Sequence, residues 1–74
     1  MFEQVKSVLV DQIGSRAESV SMDTVILSDL GINSFELVQL IARLEDELDI
    51  EIEDEALKSF VTIGDVVRYL DEHR

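Results

Sequence analysis

The apolar residues at the start of the chain recur with a helical period. Phe2, Val5, Leu9 and Ile13 fall on one side of a helical wheel, and polar residues lie largely on the other side. Gly14 follows directly, and glycine commonly ends helices. The pattern therefore predicts a first helix from Phe2 to Ile13.

A second helix is predicted from Ser34 to Leu48. Either Ser34 or Asn33 just before it suits the N-cap position, and Glu36 in the first turn suits the helix dipole. The broad apolar face of this helix consists of Leu37, Leu40, Ile41, Leu44 and Leu48.

Two further segments complete the helical pattern. An extended link over 49–53 leads to a short third helix, predicted from Asp54 to Phe60. Thr62 and Asp65 then resemble a capping box, with Asp in the usual Glu position, that opens a last helix. The core face of that last helix consists of Ile63, Val66, Val67 and Leu70.

The connection over 15–33 is long for so small a chain, and it mixes turn-forming with apolar residues. Its apolar residues are too many for a solvated loop, so we expect it to lie against the core. A long connection in a small domain is often functional. Three longer helices and one short third helix predict an all-α fold, a small antiparallel four-helix bundle with a long first loop. We expect one domain over 1–74.

The net charge of the chain excludes some classes of binding partner. Seventeen acidic against six basic residues give a net charge of −11. Such a chain repels nucleic acids and anionic membranes, and it attracts proteins with basic patches. No segment approaches the roughly 20 apolar residues that span a membrane, and the first residues do not resemble a signal peptide. We therefore expect a cytoplasmic monomer without stable membrane insertion.

Composition also argues against metal binding and catalysis. The chain has no Cys, and its single His lies close to the C-terminus. The ligand spacing of an EF-hand is absent, so no metal site is predicted, although the acids could collect divalent ions loosely. A bundle of 74 residues has little room for a pocket that separates the pKa values of two carboxylates. We expect no catalytic residues and no enzymatic activity.

Ser34 occupies a position that suggests more than folding. It lies where the long connection meets a helix N-terminus, where unpaired backbone N–H groups and the helix dipole favour negative charge. A phosphate ester on its hydroxyl would be stabilised there. The simpler interpretation is that Ser34 only caps the helix, because Ser is a leading N-cap residue.

The second helix also carries apolar residues on the side opposite its core face. Phe35, Val38 and Ala42 lie at positions i, i+3 and i+7. An apolar stripe edged with acids favours a docking surface for a partner with a basic rim. For Phe35 the alternative is that the long connection folds over it. The polar residues that flank the stripe are Gln39, Glu45 and Asp46.

The residues around Ser34 resemble the signature of the acyl carrier protein family. The run Leu30-Gly31-Ile32-Asn33-Ser34-Phe35 is similar to the family motif Leu-Gly-x-Asp-Ser-Leu, and Val38-Gln39-Leu40 is similar to the Val-Glu-Leu element that follows it. The acidic stretch 44–52 resembles the end of the family's second helix, and the match continues at 54–55 and 61–65.

The resemblance implies a specific chemistry. A phosphopantetheinyl transferase would attach 4′-phosphopantetheine from coenzyme A to Ser34, and the thiol of this arm would hold acyl groups as thioesters. Acyl-loading and acyl-processing enzymes of fatty-acid or polyketide-type biosynthesis, with basic docking patches, would be the other partners. The implied partner surface comprises Asn33, Phe35, Glu36, Val38, Gln39, Ala42, Glu45, Asp46, Glu47 and Glu51.

Four positions depart from the family pattern. Asn33 replaces the usual Asp, Phe35 replaces Leu, Gln39 replaces a frequent Glu, and Glu53 stands where Pro is common. A Phe directly after the serine also occurs in carriers of D-alanine and other amino acids. A specialised aminoacyl or D-alanyl carrier therefore stays open as an alternative, as does an unmodified protein-interaction module of the same fold.

Overall fold

The computed structural model describes residues 1–73, so Arg74, the last residue of the predicted domain, lies outside the described residues. The described chain is helical, and three of its helices are long, which confirms the all-α prediction. No helix within residues 1–73 is long and apolar enough to cross a membrane. The helices are α1 (Phe2–Ile13), α2 (Ile26–Leu30), α3 (Ser34–Leu48), α4 (Asp54–Leu57) and α5 (Ile63–His73), with a 3₁₀ helix at Gly14–Ala17.

The three long helices bury their apolar sides in one shared core. Gln12 Nε2 donates a hydrogen bond of 2.9 Å to the backbone carbonyl of Glu36, and Asp11 forms an ion pair with Arg43, so α1 is fastened to α3 at two points. The predicted core faces of α1, α3 and α5 all contact this core. Its largest fully buried side chains are Val5, Leu9, Ile26, Leu40, Leu44, Ile63, Val66 and Leu70.

The long connection packs against the core, as predicted, but it contains a helix that the sequence analysis did not predict. Ile26 and Leu30 of α2 are buried one helical turn apart. Gly31 ends this helix in the left-handed conformation, with φ of 64°. The buried residues of the whole connection are Ala17, Val20, Ile26, Leu30 and Ile32.

Within residues 1–73, three backbone hydrogen bonds tie this connection to Val61 and to the first turn of α5. Ile26 N donates to Val61 O at 2.9 Å, Ile63 N donates to Thr24 O at 3.0 Å, and Gly64 N donates to Met22 O at 2.8 Å. Val25 and Thr62 lie between these bonds as an isolated antiparallel bridge. The three hydrogen bonds are termed the loop clamp, because they join two segments that are far apart in the sequence.

The third predicted helix is shorter than expected. Helix α4 ends at Leu57 instead of Phe60, because the next hydrogen bonds run to carbonyls only three residues back. Lys58 N donates to Glu55 O, and Phe60 N donates to Leu57 O, both at 3.3 Å. Such bonds make turns instead of an α-helix, and they bring Phe60 into the core.

The capping box predicted at the start of α5 is present. Asp65 N donates to Thr62 Oγ1 at 3.2 Å, while Asp65 Oδ2 accepts from the backbone N–H groups of Thr62 and Val61. These backbone donors, with help from Arg68, hold the pKa of Asp65 below its ordinary value of 3.8. The carboxylate therefore stabilises the fold above that pH, and its contribution is lost as the pH falls through the lowered pKa.

Candidate functional site

The N-terminus of α3 is capped by Asn33 and not by Ser34. Asn33 Oδ1 accepts a hydrogen bond from Glu36 N at 2.8 Å, and Glu36 Oε1 accepts one from Asn33 N at 3.3 Å. This is a complete capping box. Ser34 is the first residue of the helix, so the interpretation that Ser34 serves only as the N-cap is wrong.

The Ser34 hydroxyl is available for chemistry. The residue is exposed, and within residues 1–73 its side chain has no hydrogen-bond partner. It stands at the positive end of a helix of 15 residues, where negative charge is stabilised. An ester on this oxygen would break no hydrogen bond formed within the described residues, and a phosphate ester there would lie in a favourable field.

The segment that carries Ser34 is held from the side of α1. Gln12 fixes the first turn of α3 through the carbonyl of Glu36, and Arg16 Nη1 donates to the carbonyl of Leu30 at 3.2 Å. Ile32 is buried two residues before Ser34. The hydroxyl is thus exposed on a supported backbone, an arrangement that favours precise presentation of a group attached to it.

An apolar groove of about 380 Å³ opens beside Ser34. Its walls come from the region of α2, from the first turns of α3 and from the segment around α4. Seven of its nine residues are apolar, and the two polar ones are Ser34 and Lys58. This feature is termed the Ser34 groove, and its lining consists of Val25, Leu27, Ser34, Leu37, Val38, Leu57, Lys58, Phe60 and Val61.

Large apolar side chains are exposed around this groove. Phe35 is 63% exposed, so the alternative that the long connection covers it is wrong. Leu27, Val38 and Val61, which line the groove, are 42%, 50% and 55% exposed. Exposed apolar side chains gathered around one residue indicate a surface that contacts something other than water.

The sequence-predicted partner residues on α3 do not all lie on one side. Glu47 lies at the edge that faces α1, beside the Asp11–Arg43 ion pair. The outward side of α3 is separate from that edge. The exposed residues on this outward side are Phe35, Val38, Gln39, Ala42 and Asp46.

Three other predicted partner residues make hydrogen bonds inside the protein. Asn33 and Glu36 form the cap of α3, and Glu45 Oε2 accepts from Ile52 N at 2.7 Å. Glu51 is exposed on the link after α3. Among the acids of α3, Asp46 therefore combines an outward position with a carboxylate that forms no side-chain hydrogen bond or ion pair within residues 1–73.

Among the groove residues, the sequence predicts only Ser34 and Val38 as parts of a functional site, and it predicts Leu37 as a core residue. One signal was present, because the spacing of Ile26 and Leu30 before Gly31 is typical of a helical turn that leaves Leu27 on another side. The sequence near Val61 contains no such signal. Within residues 1–73, no group of potential ligands is arranged to hold a metal ion.

Comparison with known proteins agrees with this geometry. The family model described as "Phosphopantetheine attachment site" matches residues 3–70. The acyl carrier protein of Clostridium perfringens is 40% identical over 73 residues, which is 99% of this chain and 96% of the relative. That of Clostridium acetobutylicum is 41% identical over 73 residues, 99% and 95% of the two chains. That of Wolinella succinogenes is 36% identical over 74 residues, 100% and 97% of the two chains.

Proposed function

Because this chain belongs to the acyl carrier protein family, we propose that Ser34 is its attachment residue and that it delivers acyl groups to enzymes of fatty-acid or polyketide-type biosynthesis. Members of the family are carriers and not enzymes, and their prosthetic group is covalently bound 4′-phosphopantetheine. This group supplies a thiol that holds acyl groups as thioesters. The chain itself has no Cys. We also propose that it works as a monomeric single domain.

The attachment of the prosthetic group to Ser34 is supported by the free hydroxyl. Ser34 lies in the segment that resembles the family motif, its side chain is exposed, and Asn33 has taken over the capping role. A phosphodiester on this oxygen would lie at the positive end of α3. The test is the intact mass of the protein after incubation with a broad-specificity phosphopantetheinyl transferase and coenzyme A.

The expected result is a mass gain of one phosphopantetheine group per chain. No gain with several transferases would favour the unmodified interaction module. Asn33 and Phe35 would then be the first residues to exchange for the family's Asp and Leu, because they flank Ser34 directly.

The Ser34 groove supports an acyl cargo. Burial of one methylene group is favourable by about 0.8 kcal/mol. Entry of an acyl chain of several carbons into a groove whose lining is mostly apolar therefore lowers the free energy. A D-alanyl or other aminoacyl group carries a charged amine, which loses hydration there. The apolar lining therefore favours acyl over aminoacyl cargo, although Phe35 leaves the aminoacyl alternative open on sequence grounds.

The stability of the loaded carrier is expected to rise with the length of the acyl chain. Urea midpoints of the butyryl, hexanoyl, octanoyl and D-alanyl forms measure this, and the octanoyl form should be the most stable. Leu27→Gln should flatten the dependence on length, because Leu27 lines the groove. Met22→Gln is the matched control, since Met22 is similarly exposed but does not line the groove. Equal midpoints for all four forms would favour the aminoacyl alternative.

The family interacts with phosphopantetheinyl transferase and with biosynthetic enzymes. We propose that such partners dock on the outward side of α3, where Phe35 and Val38 supply apolar contact and Asp46 supplies charge. A net charge of −11 attracts partners whose docking patch is basic, and it speeds their encounter at low salt.

Asp46→Lys is expected to slow modification by the transferase by about three- to tenfold at low salt, with a smaller effect at high salt. The matched control is Glu3→Lys, which makes the same charge change at an exposed position in the first turn of α1. Initial rates of holo-protein formation measure the effect. Equal slowing by both substitutions would show that net charge matters and that docking does not centre on α3.

A further inference from the structure

Lys58 is the basic residue of the Ser34 groove. It is one of only six Lys and Arg residues in a chain with 17 acids, and it follows directly after α4. Seven of the other eight groove residues are apolar, and the eighth is Ser34. The structure therefore places a lysine in the lining of the groove that also contains the free hydroxyl of Ser34.

The Lys58 ammonium group has no ion pair within residues 1–73, whereas Arg43 pairs with Asp11 and Arg68 pairs with Asp65. Acids are close in sequence, since α4 begins with Asp54 and Glu55, yet neither forms an ion pair with Lys58. A lysine packs its stem along apolar surface and keeps its ammonium group free to meet an anion. Lys58 is thus a groove residue whose ammonium group has no ion-pair partner among the described residues.

We propose that the Lys58 ammonium group pairs with the phosphodiester of the 4′-phosphopantetheine arm carried on Ser34. This inference rests on the proposed attachment to Ser34. The phosphorus atom of that ester would be bonded to Ser34 Oγ, so its negative charge stays beside the groove that Lys58 also lines. The flexible stem of lysine lets its ammonium group reach such an anion, and the tether makes the encounter intramolecular.

The pairing has two consequences for the carrier. It offsets the negative charge that modification adds to a chain already at −11. It also holds the phosphate end of the arm beside the groove, so that the arm starts in a defined direction. Lys58 is in this sense a positioning residue, since it contacts the arm and takes no part in thioester chemistry.

A thermodynamic cycle tests the pairing with the complete chain. The free energy of unfolding is measured for the unmodified and the free-thiol modified forms of the wild type and of Lys58→Met, at low and at high salt. In the free-thiol form the phosphodiester is the only anion that modification adds. For each protein, the unfolding equilibrium constant of the modified form is divided by that of the unmodified form. At low salt this ratio should be about 1.5- to 5-fold larger for Lys58→Met than for the wild type. This difference should vanish at high salt.

Three further variants and the ³¹P resonance of the phosphodiester provide controls and an independent measurement of the pairing. Lys6→Met is the matched control, because Lys6 lies on α1 and does not line the Ser34 groove; it should behave as the wild type. Lys58→Arg should keep the pairing, and Lys58→Gln should lose it as Lys58→Met does. The ³¹P resonance of the phosphodiester should shift at low salt in Lys58→Met and Lys58→Gln, and it should stay unchanged in Lys58→Arg and Lys6→Met.

Each outcome decides between the proposals. Modification at Ser34 with the same stability change in the wild type and in Lys58→Met would overturn the pairing and leave the attachment site standing. No mass gain, or a gain at another residue, would overturn both proposals. A Lys58 effect seen only when the thiol carries a succinyl group would assign the anion to a carboxylate of the cargo and would likewise overturn the pairing with the phosphodiester.

Discussion

Replacing Ser34 by Ala is expected to abolish attachment of phosphopantetheine and to leave the fold intact. The substitution removes the oxygen that would form the phosphoester bond. The hydroxyl has no hydrogen-bond partner in the described chain, and Asn33 caps the helix. The free energy of unfolding should therefore change by less than about 0.5 kcal/mol. Intact mass measures the attachment, and urea denaturation measures the stability.

Two neighbouring substitutions separate attachment from stability. Ser28→Ala removes another exposed serine, on α2, and should be modified as fully as the wild type. Asn33→Ala removes the cap of α3 and should cost about 1 kcal/mol, yet it keeps the Ser34 hydroxyl. A mass gain in Ser34→Ala would show that a different residue carries the arm.

Replacing Gly64 by Ala is expected to destabilise the protein by about 1–3 kcal/mol. Helix propensity alone predicts the opposite sign, because Ala is favoured over Gly inside a helix by about 1 kcal/mol. Here an added Cβ would lie 2.9 Å from the backbone oxygen of Met22, which accepts the Gly64 N–H bond of the loop clamp. The first turn of α5 or the long connection would have to move.

The sign of the change in urea midpoint decides this prediction. The same Cβ would lie 3.2 Å from Arg68 Nη1, so Gly64→Ala is also compared with wild type in an Arg68→Ala background. An equal loss there would assign the cost to the backbone contact with Met22. Faster amide exchange at Ile26 and Ile63 would locate the damage at the loop clamp. Stabilisation by Gly64→Ala would show that the clamp is open in solution.

The two longest helices could be predicted from the sequence to the residue. In α1 and α3 the apolar period extends over several turns, and Gly14 and Asn33 mark an end and a beginning. The sequence alone could not decide whether Asn33 or Ser34 is the N-cap, since both side chains suit the position. Only the observed hydrogen bonds between Asn33 and Glu36 decide it.

The short elements could not be predicted because tertiary contacts form them. Helix α2 has five residues, too few for a period to be recognised or for an isolated helix to be stable. It exists because Ile26 and Leu30 are buried and because the loop clamp holds its first residue. Helix α4 stops early because Phe60 turns into the core.

The candidate site likewise has a part that could be predicted from the sequence and a part that could not. Ser34 and the exposed residues Phe35 and Val38 follow from the motif and the helical period of one segment. The groove and its basic residue Lys58 arise where three segments meet, and two of these are joined by the bond from Ile26 N to Val61 O in the loop clamp. Backbone hydrogen bonds between distant segments do not depend on particular side chains, so the pattern of residues along the sequence does not predict them.

The separate origin of the groove walls has an evolutionary consequence. Ser34 and its cap belong to α3, whereas six of the nine groove residues lie outside that helix. Substitutions at Leu27, Leu57 or Val61 can reshape the space beside Ser34 and keep the surface of α3 unchanged. Under the proposed attachment to Ser34 and docking on α3, descendants of such a chain would diverge in cargo preference and still be recognised by the same modifying enzyme.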